Sequence, residues 1–141
     1  MPTERAPIAV KVLVRCDPAT AWRAFTQPAS VMQWNFAVPE WHCPQADNDL
    51  RVGGHFCYRM EARDRSMGFD FEGRFTEIVP NERLAFTLGP ERRVVVTFRP
   101  AAGGTEVTES FTPDPDTPLE MQQAGWQSIL DNYRRHAEQL P

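Results

Sequence analysis

Two pairs of histidine and cysteine residues are the first candidates for chemistry in this chain. His42 and Cys43 are adjacent, and His55 and Cys57 are separated by one residue. Imidazole and thiolate groups are the usual ligands of zinc. Adjacent residues of a strand point to opposite faces, however, and positions 55 and 57 supply only two ligands on one face. We therefore expect ordinary strand residues, with no metal site and no cofactor.

Glu109 is the strongest candidate for acid or base chemistry. It shares its strand phase with Val107 and Phe111, so its carboxyl group is expected on an apolar face, where desolvation raises a carboxyl pKa. Two interpretations remain open. In the first, which we favour, Glu109 has a structural role: it pairs with an arginine such as Arg74 or Arg99, or it lies at a sheet margin. In the second, it acts as an acid or base. No GxSxG elbow and no cysteine signature accompanies it, so the sequence leaves enzyme activity undecided.

Composition and charge exclude several classes of protein. The 141 residues carry a net charge of −4 with both signs mixed along the chain, so no basic stripe is available for nucleic acid. The three cysteines form no CxxC pair, which indicates reduced thiols. No run approaches the roughly 20 apolar residues that span a bilayer, and residues 1–7 lack the apolar region of a signal peptide. We expect a single cytoplasmic domain over residues 1–141.

The secondary structure that positions these residues is predicted from the spacing of apolar residues and from the proline, glycine and capping residues that begin and end each element. Alternating apolar residues predict a first strand over residues 8–15, and Asp17 followed by Pro18 predicts the start of a helix. Pro28 interrupts that helix and begins a second short one through Trp34. From Trp41 onward, period-two segments predict an antiparallel meander. Its turns are expected at Gly53-Gly54, residues 63–66, Pro80-Asn81, Gly89-Pro90 and Gly103-Gly104.

A long C-terminal helix is predicted to begin at a capping box. Thr117 and Glu120 have the required spacing, with Pro118 between them at the first helical position. An apolar stripe at helical spacing then faces the sheet. Its members are Leu119, Gln122, Trp126, Ile129, Leu130, Tyr133, Ala137 and Leu140. The fold class is α+β: a curved antiparallel sheet wrapped around this helix, with two short helices after the first strand.

Several segments in this order resemble a known family. They are residues 17–22, the region of Trp34, residues 49–54 with Phe56 after them, residues 77–87, residues 105–108, and Gly125-Trp126. Together they resemble the single-domain relatives of the heat-shock-protein-90 ATPase activator, in the START-like (SRPBCC, helix-grip) superfamily. The resemblance implies the helix-grip fold and a pocket between sheet and C-terminal helix. The co-chaperone activity belongs to a larger, two-domain protein, so the resemblance does not imply direct chaperone activation.

The leading hypothesis is the binding of a small, mostly apolar or amphipathic molecule in that pocket. Two alternatives remain: an enzyme of cyclase, dehydratase or hydrolase type that uses Glu109 or Tyr58, and a chaperone-linked protein-interaction module. An exposed sheet edge would also allow a homodimer. The ligand-binding residues that we predict are Trp34, Phe56, Tyr58, Phe69, Phe71, Phe86, Glu109, Met121, Trp126 and Tyr133.

Gly125 is unusual because it lies inside the predicted C-terminal helix. Glycine there costs roughly 1 kcal/mol relative to alanine, so something is expected to require the missing side chain. Close packing against the sheet is one explanation, and room for a ligand beside Trp126 is the other. The two are compatible, and the sequence does not separate them.

Overall fold

A curled antiparallel sheet forms the frame of the structure, a computed structural model that describes residues 6–141. Within these residues the strands are β1 (Ile8–Val14), β2 (Trp41–Asn48), β3 (His55–Ala62), β4 (Gly68–Val79), β5 (Arg83–Thr87), β6 (Arg93–Ala101) and β7 (Gly104–Phe111). The helices are α1 (Pro18–Thr26), α2 (Pro28–Trp34) and α3 (Leu119–Ala137). The predicted α+β class and the order of the elements are confirmed.

The sheet is a meander closed by its first strand. Its order is β1-β7-β6-β5-β4-β3-β2, so each hairpin joins neighbouring strands and β1 pairs with the last one. The turns lie where glycine, proline and asparagine predicted them, and Asn81 and Gly103 adopt the left-handed backbone conformation that such residues tolerate. Register shifts between His42 and Gln45 and between Phe75 and Glu77 add local curvature.

The two short helices form as the sequence predicts. The Asp17 carboxylate accepts a hydrogen bond of 2.8 Å from the Thr20 amide, and Pro18 occupies the first turn of α1. Pro28 begins α2, which ends at Trp34. The Trp34 indole Nε1 then donates to the Ala24 carbonyl at 2.8 Å, which ties α2 to α1.

The start of α3 differs from the prediction. Pro118 is the cap residue and makes no side-chain hydrogen bond, while the Thr117 hydroxyl donates to the Asp114 carboxylate at 3.1 Å. The capping box is therefore wrong, because Thr117 lies one residue outside the cap position. Gln122 instead holds the connector between β7 and α3, residues 112–118. Its Oε1 accepts a hydrogen bond from the Asp114 amide at 2.7 Å, and its Nε2 donates to the Asp114 and Thr117 carbonyls at 2.8 Å each.

The two ends of α3 are buried to different extents. Leu130, Tyr133 and Ala137 are buried where the helix lies against β1, α1 and α2. Leu119, which helical spacing placed on the same apolar stripe, is 47% exposed. The stripe prediction fails there because the first turn of α3 stands away from the core. This divergence leaves a gap between helix and sheet.

Candidate ligand-binding cavity

A cavity of about 250 Å³ lies between the concave face of the sheet and α3. Its wall is mostly apolar, and it combines side chains from β3, β4, β5 and β7 with others from all three helices. Of the predicted ligand-binding residues, eight lie on this wall: Trp34, Phe56, Tyr58, Phe69, Phe71, Phe86, Glu109 and Trp126. The sequence pattern therefore identified side chains that are far apart in the chain but line the same cavity.

Phe56 is the centre of the ring cluster on the sheet side. Its ring lies 5.0 Å from that of Phe86, 5.1 Å from Tyr58 and 5.2 Å from Phe75, measured between centroids. The register places Phe56 opposite Gly73 on β4. A Cβ at Gly73 would collide with the Thr87 carbonyl oxygen and lie 3.1 Å from the Phe56 ring. This glycine therefore permits the close approach that positions the central ring.

Trp126 closes the cavity from the helix side. Its indole stacks on the buried Phe111 ring, with centroids 3.9 Å apart and planes inclined by 11°. It also meets the edge of Phe71 at 6.2 Å. Because β7 fixes one face of the indole, Trp126 forms a rigid part of the wall.

Two predicted ligand-binding residues lie elsewhere. Met121 is 66% exposed in the first turn of α3 and does not line the cavity. Tyr133 is fully buried, donates its hydroxyl to the Ala21 carbonyl at 2.7 Å, and packs edge-to-face on Phe25 and Trp34. Helical spacing placed Tyr133 on the apolar stripe of α3, but it lies where the core is closed. Met121 was not part of that stripe, and it lies before the helix reaches the core.

Sequence reasoning missed several residues of the wall. The apolar ones are Phe25, Met60, Phe75, Leu84 and Ile129, and the polar ones are Thr26, Asn35 and Arg92. Met60, Phe75, Leu84 and Ile129 share strand or helix phase with predicted members, and this phase was the available signal. Arg92 has no such signal, because it lies in the turn between β5 and β6.

Glu109 is a buried acid in an apolar environment. It lies on β7 between Val10 of β1 and Val96 of β6, and it is 6% exposed. No other side chain of residues 6–141 pairs with it. Burial raises the pKa of Glu109 to about 8, so its carboxyl group is mainly protonated at neutral pH.

The interpretation that we favoured for Glu109 is wrong in both forms. Arg74 donates to the Gly53 carbonyl at 3.1 Å, and Arg99 is exposed on β6 opposite Glu106, so neither arginine pairs with Glu109. Glu109 also lies well inside its strand, which is paired on both sides. The sequence could not show this because pairing depends on which face of the neighbouring strands the arginines occupy.

Tyr58 and Arg92 are two of the four other polar residues that line the cavity. The Tyr58 hydroxyl accepts a hydrogen bond of 3.0 Å from Asn48 Nδ2, and burial raises the pKa of Tyr58 to about 12. Its own proton is therefore available to a ligand. Arg92 is half-buried, and its Nε is buried without a hydrogen-bond partner. These donors and Glu109 lie on a wall that is otherwise dominated by rings.

Gly125 is not explained by close packing. A Cβ built at this position would meet no described atom within 4 Å outside its own helix, so the sheet does not require the missing side chain. That explanation is wrong. Gly125 is also absent from the cavity wall, although its neighbour Trp126 belongs to it. Room for a ligand beside Trp126 stays a prediction.

The two histidines lie at the sheet surface, whereas Cys43 is buried in the core and Cys57 is half-buried. His42 Nε2 lies 3.4 Å from Glu61, and His55 Nε2 lies 3.7 Å from Glu72. Strand pairing brings Cys57 opposite Glu72, and the ligand atoms of Cys57, Asp70 and Glu72 lie within 4.8 Å of one another. Asp70 and Glu72 are exposed, and the contacts of Glu72 with His55 and Cys57 account for this arrangement without an ion.

No helix within residues 6–141 is long and apolar enough to cross a membrane.

Comparison with known proteins gives a consistent result. Residues 15–138 match the family described as Activator of Hsp90 ATPase homolog 1-like protein. The solution structure of an AHSA1-like protein from Aeromonas hydrophila is similar, with 39% identity over 94% of this chain and 92% of the other, and a TM-score of 0.88.

Two further solved structures have the same fold. A protein from Cytophaga hutchinsonii has 39% identity over 94% of this chain and 92% of its own, with a TM-score of 0.81. A protein from Chromobacterium violaceum has 26% identity over 95% and 99%, with a TM-score of 0.85. No protein with a curated description matches the chain.

Proposed function

The chain belongs to the Activator of Hsp90 ATPase homolog 1-like family, and we propose that its helix-grip fold binds a small, mostly apolar molecule between the sheet and α3. The observation that carries this proposal is the cavity of about 250 Å³ that remains although many large rings converge on it. Core interiors are normally packed to the density of organic crystals. A retained gap lined by rings and by a few polar groups without partners is typical of a ligand site.

The binding energy would come chiefly from apolar burial. Each buried methylene of a ligand contributes about 0.8 kcal/mol. The polar groups of Tyr58, Arg92 and Glu109 would then orient the ligand, because a polar group that stays unpaired in the bound state costs about 1–3 kcal/mol. The fold therefore supplies affinity through its rings and selectivity through a few side chains.

The four tryptophans allow a direct test of this site. Trp34 and Trp126 line the cavity, whereas Trp22 packs on Phe98 at 5.3 Å and does not. We expect small apolar and amphipathic molecules to shift the indole NMR signals of Trp34 and Trp126 and to leave that of Trp22 in place. Mass spectrometry of the natively purified protein would supply the first candidate ligands. A panel that shifts no cavity tryptophan contradicts the proposal.

A cavity-filling variant makes the test specific. Ile129 is half-buried on α3 and lines the cavity, so Ile129→Trp should take up part of the space and weaken binding. Ile8 is a half-buried isoleucine outside the cavity. The matched Ile8→Trp variant should bind as the parent protein does. Equal binding by both variants would place the ligand elsewhere.

Acid or base catalysis is a second candidate, and the environment of Glu109 favours it. A carboxyl group with a pKa of about 8 in a cavity holds a proton at neutral pH that it can donate to a substrate carbonyl. The reaction would then be of cyclase, dehydratase or hydrolase type. Glu109→Gln should abolish turnover of a bound carbonyl substrate and keep its binding, and Tyr58→Phe tests the other pocket acid. Turnover unchanged in both variants would exclude these roles.

A further inference from the structure

We propose that the ligand is an amphipathic organic anion, with a carboxylate bound by Arg92 at the rim of the cavity and an apolar body among the rings. The inference rests on the proposed function, because it assumes that the cavity is a binding site. It adds the charge and the orientation of the ligand, which the apolar wall alone does not define.

Arg92 is placed to bind a group that enters the cavity. It ends the turn between β5 and β6, whose residues Gly89, Pro90 and Glu91 are exposed, and its side chain lines the cavity. The Leu88 amide donates to the Arg92 carbonyl at 2.9 Å, which fixes the backbone of this turn. The guanidinium therefore lies at the junction between solvent and the apolar interior.

The charge of Arg92 has no partner in the part of the chain that the structure describes. No carboxylate of residues 6–141 lies within ion-pair distance of Arg92, although four other arginines form such pairs. Its Nε is buried without a hydrogen-bond acceptor. A guanidinium stays protonated in proteins, so it cannot reduce this cost by losing its charge. An acceptor supplied by a ligand would satisfy it.

Glu109 does not take this role. It lines the same cavity, but the two side chains form no ion pair. A guanidinium close by would lower the pKa of Glu109, whereas burial alone accounts for its raised pKa. The cavity thus presents one positive charge at its rim and one mainly neutral acid in its interior.

This distribution favours an anion over a cation or a neutral molecule. A carboxylate can accept two parallel hydrogen bonds from one guanidinium, and at the rim it keeps part of its hydration, which limits the cost of desolvation. A ligand ammonium would be repelled by Arg92 and would find no full negative charge on the cavity wall. A neutral molecule can accept a hydrogen bond from Arg92 but leaves its charge without a counter-charge.

Three ligands of one length test the charge preference at pH 6.5, where Glu109 is protonated: octanoate, 1-octanol and octylammonium. We expect octanoate to bind about 10-fold or more tightly than 1-octanol, as hydrogen bonds to charged groups predict, and octylammonium to bind weakest. The shift of the Trp126 indole signal reports binding inside the cavity. Octanoate should also bind about 15-fold more tightly than hexanoate, because two more methylenes are buried.

Arg92→Gln should remove the preference for octanoate, because octanoate should lose about 10-fold or more in affinity relative to 1-octanol. Arg93→Gln is the matched control, since Arg93 is the next residue, carries the same charge and is exposed. It should keep the preference.

The possible failures are distinguishable. Equal binding of octanoate and 1-octanol, a preference that survives Arg92→Gln, or no gain from hexanoate to octanoate would overturn the anion proposal while the cavity remains a binding site. Failure of all three octyl ligands to shift Trp126 would overturn both this inference and the proposed function.

Discussion

The two halves of α3 cover the same sheet in different ways. In the second half, Leu130, Tyr133 and Ala137 are buried, and the Tyr133 ring packs edge-to-face on Phe25 and Trp34 at centroid distances of 5.2 and 5.3 Å. In the first half, Trp126 and Ile129 are only half-buried and border the cavity. We refer to residues 130–137 and their neighbours as the closed half, and to residues 119–129 and theirs as the open half.

The difference comes from the elements opposite each half and not from residue type. Both halves meet aromatic side chains. The closed half also packs against α1 and α2, which supply Phe25 and Trp34 as a second layer. The open half faces strands β3 to β5 across the cavity, and only Trp126 brings a large ring toward them from the helix among the residues described. A core rich in aromatic rings thus leaves a cavity at the open half, where the layer formed by α1 and α2 is missing.

The largest expected effect is the dependence of stability on pH through Glu109. Its carboxyl pKa is raised from 4.5 to about 8 in the folded protein, so the folded state binds the proton more tightly than the unfolded state. The contribution of Glu109 is complete below pH 4.5 and is lost as pH rises toward 8, by about 1.4 kcal/mol of unfolding free energy per pH unit. Glu109→Gln should remove this slope in urea unfolding between pH 5 and 8.

The control for this measurement is Glu106→Gln, on the opposite face of the same strand, which should keep the parental slope. Glu109 contributes to the raised pKa of Tyr133, but burial is the larger cause and lifts this pKa well above its usual range, so Tyr133 stays neutral over these pH values. A parental protein with no slope would mean that the cavity is wet and open to solvent.

Tyr133→Ala should give the next largest effect, because the closed half has no space to relax into. Deleting the fully buried ring should lower the free energy of unfolding by about 3–5 kcal/mol. Met121→Ala, in the exposed first turn of the same helix, should change it by less than about 0.5 kcal/mol. Similar losses in the two variants, measured by urea unfolding, would mean that the halves are packed alike.

Gln122→Ala tests what holds the entry into the open half. It removes three hydrogen bonds between the Gln122 side chain and the backbone of the connector, so it should cost about 1–3 kcal/mol of unfolding free energy. Thr117→Ala removes one hydroxyl contact with Asp114 and should cost less than 1 kcal/mol. The reverse order in thermal unfolding would restore the capping box that the sequence predicted.

Gly125→Ala should give the smallest effect, and it should be a gain. A Cβ there meets no atom within 4 Å outside its own helix, so the helix propensity of alanine should raise the unfolding free energy by about 1 kcal/mol. Gly73→Ala is the contrasting variant: its Cβ would collide with the Thr87 carbonyl oxygen, and it should be destabilised. A loss of stability in Gly125→Ala would show hidden packing at the open half.

Much of the fold could be predicted because local signals agreed with the tertiary structure. Proline and glycine marked the helix starts and turns, and period-two alternation identified the buried faces of the strands. The same phase brought most of the predicted ring residues to the cavity. These signals depend on neighbours in the chain, which a sequence shows directly.

The remaining features depend on where elements meet. A helical stripe defines a face but not the point at which the helix leaves the sheet, so Tyr133 was grouped with Trp126 although it lies outside the cavity wall. Met121 was predicted as a ligand-binding residue without belonging to that stripe, and it is exposed. Arg92 follows a turn and has no periodic pattern, and the lack of a partner for Glu109 depends on three adjacent strands. These features depend on contacts between elements that are far apart in the chain, which a sequence does not show.

The account depends most on the cavity itself, and xenon binding tests it directly. Xenon enters dry apolar cavities and scatters strongly. In crystals pressurised with xenon we expect a peak bordered by Phe56, Phe86 and Trp126 in the parental protein. A parental structure with no xenon peak and with these three rings packed against one another would contradict the account.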